Sequence, residues 1–332
     1  MRTWTAANWA VGGDPAMSVN VWRRARAALA RQLPAPHYRN QQKASAETRK
    51  ILEDIRGELR AQRKYHEDIR GELREHRKYL EGFRHVLGRD VLHDLEQFAA
   101  DHVLSFEQTM QRITDDRLCF ARFGDGELRL MLRWEFNLRF QRWAPGLARD
   151  LRSVLTYDGF DPDRLLLGFP YPHRGGYWAN VWVDIWPDLK PLLNTSVPYG
   201  CTHVSRPLFF QRFGESGVAM WRKVWEGREV CIVTGEGSRF SLIPQLFDNV
   251  KGSRFVYSTP VNAYADLPRL MPVLEADDRE ELYLVSLGPA GTLVTAWLAR
   301  MARWAIDIGH ISNSWENVFA GGTWPEGLDL LR

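Results

Sequence analysis

Two acidic residues separated by a single position, Asp125 and Glu127, stand in the segment Arg122-Phe-Gly-Asp-Gly-Glu127. Carboxylate oxygens are the ligands that hard divalent cations prefer. In an extended or turning backbone, residues i and i+2 project to the same side. The pair therefore predicts a cation site that holds a diphosphate and neutralises charge on a leaving group. A second interpretation stays open, in which the Gly-Asp-Gly turn starts a helix with Asp125 as its N-cap.

Two further glycine-containing loops, Val233-Thr-Gly-Glu-Gly-Ser-Arg239 and Ser286-Leu-Gly-Pro-Ala-Gly-Thr292, each follow an apolar run. A loop that opens a helix offers backbone N–H groups to an anion, and an arginine such as Arg239 pairs with phosphate. The second loop matches neither the dinucleotide fingerprint nor the P-loop, so the sequence gives no support to an NAD-dependent or ATPase activity. For the loop over residues 233–239, an ordinary strand-to-helix turn remains the alternative.

The segment Ile306-Asp-Ile-Gly-His310 is expected to end the last strand of the chain. Asp307 and His310 are candidates there for a catalytic base or a ligand. A single histidine at such a place is more often structural.

These motifs alternate with apolar runs and helical patterns, which is typical of an α/β fold. The chain is expected to form a Rossmann-like, mostly parallel sheet with flanking helices, preceded by an N-terminal α-helical coiled coil. Such sheets bind ligands at the carboxyl ends of their strands. Strands are predicted over residues 118–123, 165–169, 229–234, 254–258, 281–287 and 305–311. Helices are predicted over residues 127–134, 217–225, 241–247, 264–275 and 292–302.

Residues 47–88 repeat with a period of fourteen, since Glu53-Asp-Ile-Arg-Gly-Glu-Leu-Arg60 recurs as residues 67–74. Fourteen residues are two heptads, the period of a left-handed coiled coil. With Leu52 at position a, apolar residues dominate positions a and d, and arginine fills every position e. Residues 47–88 are therefore predicted to be a stem through which the chain self-associates. A single solvated helix is the alternative.

Residues 1–45 form a basic segment with few patterns, expected to be partly disordered. Within it, residues 19–33 predict a short basic helix with Trp22 and Leu29 on one side. Two interpretations stay open: peripheral contact with an anionic membrane surface, or a solvated helix leading into the stem.

The 332 residues carry a net charge of only +3, which gives no support to nucleic-acid binding. The charge is uneven, because residues 1–90 hold 19 basic against 11 acidic residues and residues 91–332 hold 25 against 30. Three widely spaced cysteines predict buried thiols in a reducing compartment. With no signal peptide and no long apolar run, the protein is expected in the cytoplasm, with the inner membrane face as the alternative.

The order of the motifs carries more information than any motif alone. Along residues 105–320 the chain resembles the GT-D glycosyltransferases of bacterial surface-glycan and adhesin-glycosylation pathways. The series that carries the resemblance is Arg122-Phe-Gly-Asp-Gly-Glu127, Ser205-Arg206-Pro207, Gly235-Glu-Gly-Ser-Arg-Phe240, Leu246-Phe-Asp-Asn249, Pro260-Val-Asn-Ala-Tyr264, Leu287-Gly-Pro-Ala290 and Ile306-Asp-Ile-Gly-His-Ile311.

The resemblance implies a Rossmann-like sheet in a glycosyltransferase domain over residues 95–332. It implies transfer of a sugar from a nucleotide-sugar donor to a glycan or glycoprotein acceptor, assisted by Mn²⁺ or Mg²⁺. Asp125 and Glu127 then become the metal site. The candidates for binding substrate are Arg122, Gly124, Arg206, Gly235, Arg239, Gly288 and Thr292. The candidates for the base, in order of preference, are Glu236, Asp307 and His310.

One loop departs from the family pattern. The family commonly has a glycine-rich Phe-Gly-x-Gly-Asn stretch after the arginine of the second motif, whereas Phe240 is followed here by Ser241-Leu-Ile-Pro-Gln245. Two other functions therefore stay open. One is an inactive sugar- or nucleotide-binding scaffold on a coiled-coil stalk, and the other is a metal-dependent phosphoester hydrolase.

Overall fold

The computed structural model describes residues 23–24, 27–28, 31, 35–172, 175–279 and 281–329. Most of the predicted membrane-contacting helix over residues 19–33, with Trp22 and Leu29, lies outside the described residues. The chain divides into two compact units, Met1–Tyr79 and Leu80–Arg332, and each is described by itself.

The first unit is dominated by a helix of 53 residues, α1 (Ala35–Leu87), which continues past the unit boundary. The helix predicted for the stem is confirmed. It begins at Ala35, directly after Pro34 and well before residue 47. Gly57 and Gly71 do not interrupt it. The pairing of α1 with another chain stays a prediction.

The second unit holds a seven-stranded sheet in which every pair is parallel. The strands are β1 (Cys119–Arg122), β2 (Leu165–Phe169), β3 (Gly200–Cys201), β4 (Glu229–Gly235), β5 (Gly252–Ser258), β6 (Leu282–Ser286) and β7 (Ala305–Asp307). Their spatial order is β3-β2-β1-β7-β6-β4-β5. The predicted α/β class is thereby confirmed.

Side chains alternate along the strands between two hydrophobic cores, one on each face of the sheet. Ala121 and Val233 belong to one core, and their strand neighbours Phe120 and Ile232 belong to the other. Because both faces are covered, the inner strands are apolar throughout, as is typical of parallel sheets. The second unit thus forms three layers, with helices on both sides of the sheet.

The helices that follow α1 are α2 (Arg89–His102), α3 (Phe106–Thr114), α4 (Asp125–Leu132), α5 (Pro145–Leu155), α6 (Gly176–Leu189), α7 (Pro207–Phe213), α8 (Glu215–Trp225), α9 (Pro244–Phe247), α10 (Ala263–Glu275), α11 (Pro289–Arg300) and α12 (Ile311–Phe319). Among the described residues, no helix is both long and apolar enough to cross a membrane.

The last predicted strand, residues 305–311, was too long. Strand β7 ends at Asp307, Gly309 turns the chain with a φ of +49°, and Ile311 already begins α12. In the sequence, the apolar pattern of Ile306, Ile308 and Ile311 looks like one continuous strand. It belongs instead to a strand, a turn and a helix that pack against the same core.

The buried thiols are confirmed, since Cys119, Cys201 and Cys231 are all free and buried. Four tryptophans are fully buried in the core, Trp182, Trp186, Trp221 and Trp225. Trp221 and Trp225 stack at 5.5 Å on the helical side of one core.

Candidate functional site

A cavity of about 930 Å³ opens at the carboxyl ends of four central strands. Arg122 ends β1, Gly235 ends β4, Ser286 ends β6 and Asp307 ends β7, and all four line this cavity. The connections that leave these strands run toward opposite edges of the sheet, since β1 leads to β2 on one side and β4 leads to β5 on the other. Open α/β sheets bind ligands at the place where this change of direction occurs. The volume suits a ligand of drug or cofactor size.

Two contacts fix the side chain of Arg122 in the floor of the cavity, and a third holds its backbone. Its Nε donates to the Thr202 carbonyl at 3.2 Å, and Nη1 lies 3.8 Å from Oδ1 of Asp307. Its own carbonyl accepts from the Thr292 hydroxyl at 2.7 Å. Only 11% of the Arg122 side chain is exposed, so the guanidinium is held in one position before any ligand arrives.

Asp125 and Glu127 lie in the first turn of α4, and the N-cap of that helix is Gly124. The N-cap interpretation therefore places the cap one residue too late, because Asp125 is already helical. Glu127 supplies the capping contact, since its Oε2 accepts the Gly124 N–H at 2.8 Å. The argument from an extended backbone also fails here. Nevertheless both carboxyl groups line the same cavity.

Burial sets the protonation of the acidic groups in the cavity. It raises the pKa of Glu127 to about 7, although the N–H groups of Glu127 and Gly124 oppose the shift. It raises the pKa of Asp307 to about 6, against the pull of Arg122, and it also raises the pKa of Asp125. Shifts of this kind gather at functional sites, because a ligand or ion is expected to complete the charge balance.

Two further arginines, Arg206 and Arg239, approach from other elements. Burial and the neighbouring Arg122 lower the pKa of Arg206 to about 9. Nη2 of Arg239 lies 3.2 Å from Nδ1 and 3.1 Å from Nε2 of His310. Burial, with the positive charge of the three arginines, holds the pKa of His310 well below its usual range. The imidazole is therefore neutral, and the cavity has a concentrated positive charge.

The structure brings most of the predicted residues together, but not all of them. Gly124, Gly235 and Gly288 line the cavity. Gly288 has a φ of +55°, and a Cβ there would meet Phe140 at 2.5 Å. Thr292 is buried and bonds the Arg122 carbonyl, so it positions an arginine instead of facing the cavity. Glu236 is exposed and is absent from the described residues that line the cavity.

His310 also differs from its expected place, because it is the N-cap of α12 and not a strand residue. It still reaches the cavity wall.

An aromatic rim escaped the sequence analysis. It consists of Tyr171, Tyr177, Trp178 and Trp324, which all line the cavity. Tyr171, Tyr177 and Trp324 are exposed, and Tyr177 packs edge-on against Trp178 at 5.2 Å. No sequence pattern marks the rim, because an aromatic side chain in the core and one at a cavity mouth look alike in a sequence.

Residues 120–324 match the family described as the glycosyltransferase GT-D fold. The match covers more than half of the chain, so the chain belongs to this family of glycosyltransferases.

Two curated relatives come from streptococci. The chain is 26% identical over 223 residues to a probable glycosyl transferase Gly of Streptococcus gordonii. It is 25% identical over 224 residues to glycosyltransferase GlyD of Streptococcus pneumoniae serotype 4. Each match covers 64% of this chain but only 32% and 27%, respectively, of the relative. The chain thus spans about a third of the length of these proteins.

Solved structures agree with the fold. One, described as a new glycosyltransferase (DUF1792) from Streptococcus sanguinis, superposes with a TM-score of 0.60 at 25% identity, covering 67% of this chain and 85% of that one. Another, described as the domain of unknown function 1792 with a distinct glycosyltransferase fold, has a TM-score of 0.64 at 23% identity. It covers 73% of this chain and 90% of its own, and it shows the fold alone.

Proposed function

We propose that this protein transfers a sugar from a nucleotide-sugar donor to a glycan or glycoprotein acceptor. The observation that carries the proposal is the convergence of Arg122, Arg206 and Arg239 on one cavity at the strand ends, next to three carboxyl groups. Guanidinium groups pair with phosphate oxygens through two parallel hydrogen bonds. A diphosphate held there places the sugar against the acidic side chains.

The donor side of the cavity is largely assembled in advance. Arg122 is fixed by Thr202 and Asp307, and Arg239 is fixed through its Nη1 by the Pro325 carbonyl. Groups held in place before binding stabilise developing charge without reorganising, which favours catalysis. Arg239 also donates toward His310, so we assign that histidine to orienting Arg239.

A divalent cation fits the acidic pair, and we propose Mn²⁺ or Mg²⁺ there. Asp125 and Glu127 offer carboxylate oxygens to the cavity, the donor type that these ions take. Within the described part of the chain, no three His, Cys, Asp or Glu side chains are grouped to hold a metal. The donor diphosphate and water would therefore complete the coordination. When bound, the cation would neutralise charge on the departing nucleotide.

Among the three candidate bases, the geometry favours Asp307. Glu236 faces solvent, and the imidazole of His310 accepts poorly because three arginines disfavour its protonated form. Asp307 lies in the cavity floor, and burial brings its pKa to about 6, near the working pH of a general base. We propose that Asp307 takes the proton of the acceptor hydroxyl if the reaction inverts the sugar.

The acceptor is proposed to enter over the aromatic rim. Exposed rings at the mouth of a polar cavity offer flat apolar faces to a sugar ring, with polar edges that remain in water. Tyr171, Tyr177 and Trp324 have this arrangement.

The test is a screen of UDP- and GDP-sugars by thermal shift, with Mn²⁺ or with EDTA, followed by an assay of nucleotide release. A ligand that binds only the folded state raises the melting temperature by mass action. We expect one donor class to bind, Asp125→Asn to lose the metal-dependent part of the shift, and Asp307→Asn to bind donor but release little nucleotide. Glu236→Gln, which changes a carboxyl group outside the cavity, should behave as wild type.

The same assays separate the alternatives. Donor binding without nucleotide release, over a range of acceptors, would favour the inactive scaffold. The altered loop after Arg239 motivates that alternative. In this loop the ring of Phe240 packs against Phe247 at 6.2 Å, and the Ser312 hydroxyl donates to the Ser241 carbonyl at 2.6 Å. Hydrolysis of a simple phosphodiester in the absence of sugar transfer would favour the hydrolase.

A further inference from the structure

Helix α1 carries an uncovered apolar stripe along its length. Leu52, Ile55, Leu59, Leu73, Leu80 and Leu87 are each between 45% and 70% exposed in the single chain. They all occupy positions a or d of one unbroken heptad register. Removing apolar side chains from water is favourable, so a stripe of this kind is expected to find a partner surface.

Charges beside the stripe indicate what that partner is. Position e is arginine in every heptad, at residues 56, 63, 70, 77 and 84. Position g carries Glu58 and Glu72, five residues before Arg63 and Arg77, respectively. In a parallel coiled coil, position g of one helix faces position e of the next heptad on its neighbour. A second copy of α1 therefore offers opposite charges to both glutamates.

The remaining g positions add to this match. Tyr65 and Tyr79 alternate with the glutamates and precede an arginine by the same five residues. Both rings are exposed, at 65% and 74%. A guanidinium over a tyrosine face is a favourable contact. The parallel arrangement thus gives each of these arginines either a carboxylate or a ring.

The antiparallel arrangement does the opposite. There position e faces position e, and position g faces position g. Every e pair would set one arginine against another, and like charges at such close range are destabilising. The charge pattern thus selects the parallel arrangement.

Polar residues inside the stripe select the register. The fourteen-residue repeat would permit the two helices to slip by two heptads. An unshifted pair places Gln62, His66 and His76 each opposite its own copy, so polar layers meet polar layers. A slip of two heptads would place His66 against Leu52 or Leu80. Buried polar positions of this kind fix alignment at some cost in stability.

We propose that α1 assembles with further copies of itself into a parallel, unshifted coiled coil, which makes the protein a homo-oligomer. The proposal rests on α1 alone and is independent of the transferase activity. Because the helices run in the same direction, the C-terminal ends of all copies of α1 lie at the same end of the stem.

The first test is the mass of the full chain in solution, measured by light scattering after size exclusion. Wild type should have a multiple of the chain mass. Leu59→Asp/Leu73→Asp, which charges two a positions, should have the mass of one chain. The matched control is Gly57→Asp/Gly71→Asp, which adds the same two charges at position f, where a new Cβ meets nothing within 4 Å. It should stay oligomeric. A monomeric wild type, or a Leu59→Asp/Leu73→Asp variant that keeps the oligomer mass, would overturn the proposal.

The second test measures orientation. Gln62→Cys should form a disulfide between chains on mild oxidation, because the two copies of position 62 meet across the core. The three native cysteines are buried and should not react. In an antiparallel pair centred near residue 70, the two copies of position 62 would be about 24 Å apart, at a rise of 1.5 Å per residue. Lys64→Cys at position f is the control. Equal cross-linking of both variants, or of neither, would overturn the parallel arrangement.

The third test exchanges the charges. Arg63→Glu/Arg77→Glu should lose the oligomer, and adding Glu58→Arg/Glu72→Arg should restore it. Arg63 also contacts Glu67 within its own helix at 3.3 Å. That contact is lost in both variants, so recovery would report the pairs between helices. Failure of the four-residue variant to recover would contradict the proposed pairing.

Discussion

The guanidinium of Arg122 lies directly against the backbone of Gly309. A Cβ on Gly309 would come within 1.8 Å of Nη1, and the residue has a φ of +49°, which glycine adopts without strain. The last strand of the sheet thus ends in a turn that makes room for the arginine at the end of the first. Gly309→Ala should displace Arg122 and weaken nucleotide binding by tenfold or more, as measured by calorimetry.

A control variant separates the effect of backbone strain in Gly309→Ala from the effect of displacing Arg122. Gly227 has a φ of +64° and nothing within 4 Å of a new Cβ, and it is absent from the described cavity lining. Gly227→Ala should lose about 1–2 kcal/mol of unfolding free energy and keep nucleotide affinity. If Gly309→Ala binds nucleotide as tightly as Gly227→Ala does, the position of Arg122 is not needed for binding.

Thr292 and Thr295, one turn apart on α11, predict opposite responses to the same change. The Thr292 hydroxyl donates to the Arg122 carbonyl at 2.7 Å, whereas the buried Thr295 hydroxyl has no hydrogen-bond partner. Thr292→Val should cost about 1–2 kcal/mol in denaturant unfolding, because it leaves a buried carbonyl unpaired. Thr295→Val should be neutral or stabilising. Equal costs would show that the hydrogen bond contributes nothing beyond packing.

Asp266 predicts a pH dependence of stability. Its hydrogen bonds from Arg269 and from the Ser258 hydroxyl hold its pKa below the usual 3.8, against the effect of burial. A carboxyl group whose pKa is lowered on folding stabilises the protein above its unfolded pKa, and that contribution is lost as the pH falls through the folded value. The melting temperature of Asp266→Asn should therefore lie below that of wild type at pH 7. The difference should shrink below pH 4.

The control for this titration is Asp278→Asn, which changes an exposed aspartate just beyond the same helix. At pH 7 its melting temperature should stay close to that of wild type, because the side chain is exposed. A deficit of Asp266→Asn that is constant from pH 3 to pH 7 would contradict a contribution from the ionised carboxylate.

The aromatic rim predicts a change in acceptor affinity alone. Tyr177→Ala and Trp324→Ala should each raise the KM for acceptor about fivefold and leave donor affinity unchanged, since a ring contact contributes about 1 kcal/mol. Tyr177→Phe, which keeps the ring, should behave nearly as wild type. Trp134→Ala is the matched control. Trp134 is 69% exposed and is absent from the described residues that line the cavity. A change in donor affinity without a change in acceptor KM would show that the rim binds the donor and not the acceptor.

The sequence predicted the sheet well, because its inner strands are covered on both faces and therefore read as apolar runs. The prediction of residues 165–169 matches β2 throughout. Strand β3 was missed because two residues, Gly200 and Cys201, are too short to show a pattern. Helix α6 was missed because its 14 residues include Pro187, a residue that is unfavourable inside a helix.

The site was predicted through its loops, and the errors come from side-chain direction. A sequence places Glu236 and Asp307 both after a strand, yet it does not say that one faces solvent and the other the cavity. It also does not reveal that Thr292 reaches back to the Arg122 carbonyl. These facts depend on how neighbouring strands are offset, which is a property of the assembled sheet.

The position of β7 between β1 and β6 has a consequence for biosynthesis. The strands made earlier form two separate groups, β3-β2-β1 and β6-β4-β5, and no strand pairing joins them until Ala305–Asp307 has been translated. Arg122 belongs to one group and Gly235 to the other. A nascent chain therefore completes the sheet, and with it the cavity at the strand ends, only after β7 has emerged from the ribosome.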